Sequence, residues 1–105
     1  MEAAKTVYRL TASFPTEEKF GLASQMRRAA VSIPCNIAEG AARKGKKEFR
    51  NFVSMAQGSL SELDTQLDLS VSLGYLRVED LEDLTIQLIR VDKMLTGLIR
   101  SLEAK

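Results

Sequence analysis

Apolar residues recur every three or four positions along most of the sequence, a spacing that predicts helices rather than strands. The clearest stripe lies in the last quarter of the chain and contains Leu81, Leu84, Leu88, Val91, Leu95, Leu98 and Leu102. A second stripe has the same rhythm and contains Phe49, Val53, Ala56, Leu60, Leu63 and Leu67. No stretch alternates with period two for long enough to predict a strand.

Proline and glycine divide these stripes into separate helices. The predicted helices cover residues 2–13, 17–42, 46–73 and 81–102. Thr16 is predicted to cap the second helix, because a threonine side chain accepts a hydrogen bond from the first turn. Pro34 is predicted to kink that helix without ending it, because the stripe resumes at Ile37. Gly74 is predicted to end the third helix in the left-handed conformation.

Four helices joined by short loops predict an all-α fold, an up-down antiparallel four-helix bundle in a single domain over residues 1–105. Met26, Met55 and Met94 are predicted to fill its core, and Cys35 is predicted to be a small buried hydrophobe. Four apolar residues, Met55 among them, lie off the main stripes: Phe52, Met55, Ile86 and Ile89. They provide more apolar surface than one small bundle buries, so we expect self-association.

The composition argues against most kinds of catalysis. The chain has no histidine and one cysteine, so it lacks the commonest general base and an ordinary zinc site. We therefore expect no enzyme activity, no metal and no cofactor. Glu39 and Glu62 with an external metal are the best remaining catalytic candidates. The absence of a long apolar run and of a signal peptide predicts a cytoplasmic protein with no membrane contact.

The basic segment 43–50 is the most informative cluster of charge. Its cations are Arg43, Lys44, Lys46, Lys47 and Arg50. Lys46 and Lys47 begin a predicted helix, where the helix dipole disfavours positive charge. Cations retained at that position suggest phosphate contacts, so these residues form a candidate nucleic-acid site. The alternative that this is a solvated loop remains open.

A second group of residues is a candidate oligomer interface or structural motif. It contains Arg27, Arg28, Asn36, Glu39, Gly58, Ser59 and Glu62. Small residues follow the arginine pair and would allow another helix to approach closely. Gly58 costs a helix about 1 kcal/mol relative to alanine, which suggests tight packing against a neighbour. Glu39 is predicted to pair with Arg43 one turn later and to find a partner across helices or subunits.

Three sequence motifs occur in a recognisable order. They are QMRRAAVSIPCNIAEG at 25–40, GSLSEL at 58–63 and LGYL at 73–76. From about residue 8 to its end, the chain resembles the four-helix-bundle proteins encoded in intervening sequences of bacterial 23S ribosomal RNA genes. The resemblance implies a ring-like homopentamer in which Arg27 and Arg28 lie near subunit contacts or a charged surface.

The resemblance also implies a relation to the accessory variability determinant proteins of diversity-generating retroelements. Those are basic pentamers that associate with a reverse transcriptase and with nucleic acid, and the segment 43–50 would contribute to such a basic rim. This chain has a net charge of only +1. Our leading hypothesis is a non-enzymatic oligomeric scaffold that binds RNA, or a nucleic-acid-associated protein such as a ribonucleoprotein, through the segment 43–50. The alternative is a protein-only interaction module, an accessory subunit of a polymerase or reverse transcriptase.

Overall fold

The structure is a computed structural model that describes residues 1–104. Its helices are α1 (Glu2–Thr11), α2 (Leu22–Ala41), α3 (Lys46–Ser72) and α4 (Glu82–Glu103). Short 3-10 turns, Thr16–Glu18 and Val78–Leu81, precede α2 and α4. No strand occurs in this described part of the chain. The prediction of an all-α four-helix bundle is therefore confirmed.

The core is built from the predicted stripes of α2, α3 and α4, with α1 packed against α2 and α4. Its largest fully buried side chains include Met26, Ile33, Leu63, Leu84 and Leu95. Burying a side chain of this size stabilises the fold by about 1.5–3 kcal/mol relative to leaving it exposed. The stripes therefore account for both the helices and their packing.

The predicted start of the second helix is wrong. The chain forms a 3-10 turn at Thr16–Glu18, and α2 begins only at Leu22. The Glu18 carboxylate accepts a hydrogen bond from the Leu22 amide at 3.3 Å and another from the Tyr75 hydroxyl at 2.9 Å. The turn is thus held by a contact with the α3–α4 connection, which local sequence does not encode. As predicted, Pro34 does not end α2.

The end of α3 agrees closely with the prediction. Gly74 has a φ of 79°, in the left-handed region that favours glycine. Its amide donates to the Val71 carbonyl at 3.0 Å, and the Tyr75 amide donates to the Ser70 carbonyl at 2.9 Å. This is the Schellman arrangement, which satisfies the free carbonyls of the last turn. Leu76 folds back and is buried.

Several residues predicted to be in the core are exposed instead. Met55 and Met94 keep 55% and 52% of their surface exposed, and Cys35 is also exposed. All three lie on the outer sides of their helices, away from the apolar stripes. Residue type alone favoured burial, but the helical phase decided the outcome.

Candidate nucleic-acid interface

The corner between α2 and α3 is held by a close approach of the two helices. A Cβ atom on Gly40 would lie 2.7 Å from the Cβ of Phe52 and 2.9 Å from the Cδ1 of Phe49. Only glycine permits this approach, so the tight packing expected at Gly58 occurs at Gly40 instead. The corner places the basic segment 43–50 at one end of a molecule 48 Å long.

The two arginines of the basic segment are held by the protein's own carboxylates. Arg43 Nη2 donates to Glu39 Oε1 at 2.7 Å, and its guanidinium lies 5.1 Å from the centroid of the Phe52 ring. Arg50 Nε donates to Glu103 Oε1 at 2.8 Å, which joins α3 to α4. The predicted pair of Glu39 with Arg43 is therefore present, whereas no other helix within residues 1–104 provides Glu39 with an ion-pair partner. For Arg50 the partner comes from α4.

The lysines of the basic segment are placed differently. Lys44, Lys46 and Lys47 are exposed, and no carboxylate among residues 1–104 lies within ion-pair distance of them. Lys46 and Lys47 begin α3, as predicted, and Glu48 is the acidic residue of the same turn. The corner therefore presents flexible unpaired ammonium groups around fixed arginines.

Asn36 and Ser59 of the second predicted group are brought together at the seam between α2 and α3. The hydroxyls of Ser32 and Ser59 lie 2.8 Å apart. Asn36 Nδ2 donates to the carbonyl and to the hydroxyl oxygen of Ser32, at 2.9 Å each. This small polar cluster joins the helices, and Ser32 at its centre was not among the predicted site residues.

Glu62 and Gly58 lie further out on α3. The Glu62 carboxylate accepts a hydrogen bond from Gln66 on the same helix at 3.2 Å. Gly58 is exposed, and no atom in residues 1–104 lies within 4 Å of the Cβ that an alanine would add. Exposed Met55 precedes it by one turn. The surface beside Gly58 is therefore open.

Arg27 and Arg28 separate into different roles. Arg27 is half-buried, and its Nε donates to Thr11 Oγ1 at 2.8 Å while its guanidinium lies 4.8 Å from the centroid of the Tyr8 ring. Arg28 is exposed and contacts the Ser24 hydroxyl at 3.5 Å. Tyr8, Thr11 and Phe20, which lie beside this pair, were not among the predicted site residues. Phe20 could have been found from the sequence, because it is a large apolar residue that lies just before α2 and does not belong to the apolar stripe of that helix.

A shallow groove between α3 and α4 carries carboxylates. Asp64 lies in it, and the pKa of its carboxyl is raised above 3.8 by partial burial and by the charges of Asp68 and Asp92. Within the described residues, no group of three or more histidine, cysteine, aspartate or glutamate side chains is placed to hold a metal ion. Glu39 and Glu62, the remaining catalytic candidates, do not form such a group.

None of the helices in residues 1–104 is long and apolar enough to cross a membrane. No curated protein matches the sequence. The fold is similar to the crystal structure of a protein with unknown function from the S23 ribosomal protein family of Bacteroides thetaiotaomicron, with a TM-score of 0.78 and 23% identity. That alignment covers 92% of this chain and 90% of the other. A model of the 23S rRNA-intervening sequence protein family matches residues 1–97, so the chain belongs to this family.

Proposed function

We propose that the protein is a non-enzymatic homo-oligomeric scaffold that binds RNA through the basic segment 43–50. The observation that supports the proposal best is the arrangement of its cations. Lys44, Lys46 and Lys47 are exposed without a carboxylate partner among residues 1–104, beside arginines that ion pairs hold in place. Phosphates are bound well by unpaired cations that approach from one side, because each contact releases condensed counterions.

The geometry favours a backbone-binding site over one that reads base sequence. Phosphate contacts position a protein on nucleic acid, whereas sequence is read by groups that reach base edges. Lysine ammonium groups are compact charges on flexible chains, and they bind phosphates without fixing an orientation. We therefore expect affinity for RNA that depends strongly on salt and weakly on base sequence.

The experiment is a salt titration of RNA binding. Replacing both lysines, Lys46→Gln with Lys47→Gln, should weaken binding to a structured RNA and reduce the slope of log affinity against log salt by about one to two. Arg90→Gln with Lys93→Gln on α4 is the matched control, because it also removes two exposed cations, both outside the basic segment. An unchanged slope in the double variant, or a loss as large in the control, contradicts the proposal.

Self-association is the second part of the proposal, and the outer side of α3 supports it. Met55, Leu69 and Leu73 are exposed there, on the same side as Gly58, whose missing side chain leaves room for a second helix. Leu69 and Leu73 are one turn apart, and Met55 lies several turns earlier, beside Gly58. Exposed apolar side chains on one side of a helix are common at protein interfaces. We propose a closed ring, with five copies as the family resemblance implies.

The pair Gly58→Ala and Gly97→Ala tests this interface. Both glycines are helical, and neither has an atom of residues 1–104 within 4 Å of the added Cβ. Each change should stabilise the monomer by about 1 kcal/mol, because alanine favours helix. Only Gly58→Ala should weaken self-association, because it fills the contact. Light scattering that returns the 11.6 kDa monomer for the unmodified protein contradicts the oligomer outright.

A protein-only interaction module remains a second candidate. A small apolar surface at the start of α4 supports it, with Val78 and Ile86 exposed beside the carboxylates of Glu79 and Glu82. Protein partners that remain bound after nuclease treatment favour this candidate. Partners that disappear with the nuclease favour the RNA scaffold.

A further inference from the structure

Phe20 is the most exposed large hydrophobic residue among those that the structure describes. It keeps 86% of its surface exposed, in the turn between the first 3-10 turn and α2. Tyr8 of α1 keeps 48% exposed. Both side chains line a shallow cavity of about 310 Å³, together with Lys19, Arg27 and Arg28. These five residues are called the aromatic patch.

The cations of the aromatic patch are interleaved with its rings. Lys19 Nζ lies 5.7 Å from the centroid of the Phe20 ring, and the Arg27 guanidinium lies 4.8 Å from that of Tyr8. Such contacts are attractive because the face of an aromatic ring is electronegative. The patch therefore joins flat apolar surface to positive charge, a combination that occurs at the basic segment only where Arg43 lies over the ring of Phe52 on α3.

Arg27 is held in one orientation through its Nε atom, and the other guanidinium nitrogens make no hydrogen bond within residues 1–104. Its Nε donates to the hydroxyl of buried Thr11 at 2.8 Å, and that hydroxyl donates to the Val7 carbonyl at 2.7 Å. No other acceptor among residues 1–104 bonds the remaining N–H groups of the guanidinium, and no carboxylate pairs with it. A positioned guanidinium with a free edge suits bidentate binding of a phosphate.

The carboxylate next to Lys19 in sequence has partners outside the aromatic patch. Glu18 lies between Glu17 and Lys19 in sequence, but its two carboxylate oxygens accept hydrogen bonds from the Leu22 amide and the Tyr75 hydroxyl. Glu17 lies in the preceding 3-10 turn, where its side chain is exposed, and it is the other acidic residue close to Lys19 in sequence. The positive charge of Lys19, Arg27 and Arg28 is therefore not neutralised by ion pairs within the described chain.

We propose that the aromatic patch is a second ligand site, a stacking platform for unpaired nucleotides of single-stranded RNA. Bases stack on Phe20 and Tyr8, and Arg27 and Arg28 bind the adjoining phosphates. Exposed rings combined with basic residues are how proteins bind single strands without regard to sequence. An acidic peptide would use the cations but has no need of two exposed rings. A duplex keeps its bases stacked inside and cannot use the rings at all.

The inference shares the ligand class of the proposed function but none of its residues. Its test compares Phe20→Leu with Phe20→Trp, since leucine keeps the apolar bulk and loses the ring, whereas tryptophan keeps a ring. Fluorescence anisotropy follows a labelled oligouridine of about ten nucleotides, within the range that one such site covers. Phe20→Leu should weaken binding about tenfold, because stacking one base on an aromatic ring is worth between about fivefold and a hundredfold in affinity. Phe20→Trp should bind at least as well as the unmodified protein.

A duplex RNA of equal length separates this site from the basic segment. Phe20→Leu should leave duplex binding unchanged, whereas the Lys46→Gln, Lys47→Gln variant should weaken the binding of both RNAs. If only the lysine variant loses affinity, the aromatic-patch inference fails and the proposed function stands. If only Phe20→Leu loses affinity, the aromatic-patch inference stands and the proposed role of the basic segment fails. If the unmodified protein binds neither RNA, the inference and the proposed function both fail.

Two further outcomes overturn the inference. Poly-glutamate that displaces the oligouridine as effectively as an unlabelled oligonucleotide shows that the patch binds acidic chains in general. A fall in oligomer mass for Phe20→Leu by light scattering shows that the ring is a subunit contact. Thermal unfolding of the variants serves as the folding control, because a side chain this exposed contributes little to the core.

Discussion

The basic segment 43–50 and the aromatic patch both gather positive charge, but they hold it in different ways. In the segment, Arg43 and Arg50 are paired with Glu39 and Glu103, and the unpaired cations are flexible lysines. In the patch, Arg27 is oriented by a hydroxyl and a ring, with no carboxylate of the described chain attached. One region thus offers mobile charge, and the other offers fixed charge beside flat apolar surface.

This difference shows why counting charges is a poor guide to a site. The segment contains more cations and was the obvious candidate, yet its arginines are already partly neutralised. A paired arginine has to exchange its carboxylate for a phosphate, whereas an arginine held by a neutral hydroxyl does not. The availability of a charge depends on its partners, and those are set by tertiary contacts.

The largest effect is expected at the corner that supports the basic segment. Gly40→Ala places a Cβ 2.7 Å from the Cβ of Phe52, an atom close to the backbone that cannot move aside. A contact this short puts the clash near the upper end of the usual cost of overpacking, about 3 kcal/mol, and the better helix propensity of alanine offsets about 1 kcal/mol of it. We therefore expect a net loss of about 2 kcal/mol in the free energy of unfolding. Urea denaturation measures it. Gly97→Ala, where no atom of residues 1–104 is near, should instead gain about 1 kcal/mol.

The next effect compares the arginines of the two regions. Arg27→Lys loses the hydrogen bond to Thr11 and the flat contact with Tyr8, so we expect a loss of about 1–2 kcal/mol in the free energy of unfolding. Arg43→Lys removes only an exposed pair and should cost about 0.5 kcal/mol or less. Equal shifts of the urea midpoint in the two variants would show that Arg27 is no more firmly held in the fold than Arg43.

A titration tests how the turn carrying Lys19 and Phe20 is anchored. The pKa of Tyr75 is raised above its ordinary value of 10.0, because its hydroxyl donates a hydrogen bond to Glu18, with smaller effects from desolvation and acidic charge. In Tyr8→Phe, Tyr75 is the remaining tyrosine, and its ultraviolet absorbance should titrate above pH 10. Glu18→Gln should lower that midpoint.

The same contact predicts a pH dependence of stability. A group whose pKa is higher in the folded state contributes stability that is fully present below its unfolded pKa and is lost as the pH rises through the folded value. The contribution of the Tyr75–Glu18 bond should therefore be constant up to about pH 9 and decline above pH 10. Tyr75→Phe should be less stable than the unmodified protein at pH 8, with the difference narrowing in the alkaline range. A constant difference would mean that the bond does not anchor the turn.

The smallest effect is expected from freeing an arginine of the basic segment. Glu103→Gln removes the exposed partner of Arg50 and should cost about 0.5 kcal/mol or less of stability at low salt. Its effect on RNA binding should have the opposite sign, because Arg50 becomes available to phosphate. Denaturation and anisotropy on the same sample measure both. Weaker RNA binding after this change would show that the ion pair is needed to position the corner.

Much of the fold was predictable, because periodic burial is a local signal. The stripe of α4 and the Gly74 end of α3 were assigned correctly, since each depends on residues within one or two turns. The start of α2 was not, because Glu18 is held by Tyr75, which lies far away in sequence. Cys35 and Met55 were predicted to be buried because residues of these types usually are, but their positions on the helices place them on the exposed sides.

In the candidate sites, too, local features were predicted from the sequence and contacts between distant residues were not. Sequence identified the cations of the segment 43–50 and the Arg27–Arg28 pair, because charge clusters can be read directly. It did not identify Tyr8 and Phe20 as their companions, because α1 and the turn before α2 reach Arg27 only after folding. The close packing of Gly40 on Phe49 and Phe52 was likewise invisible in a motif that contained the glycine but not its neighbours.

The sequence by itself determined that this protein is a helical bundle without histidine chemistry, and it determined where its positive charges lie. Helical phase and composition are local properties, so no tertiary information was needed for either. The tertiary structure alone decided which charges are paired, which rings are exposed and which glycine lies at a close contact. Those properties depend on distances between residues remote in sequence, and packing of the whole bundle sets those distances.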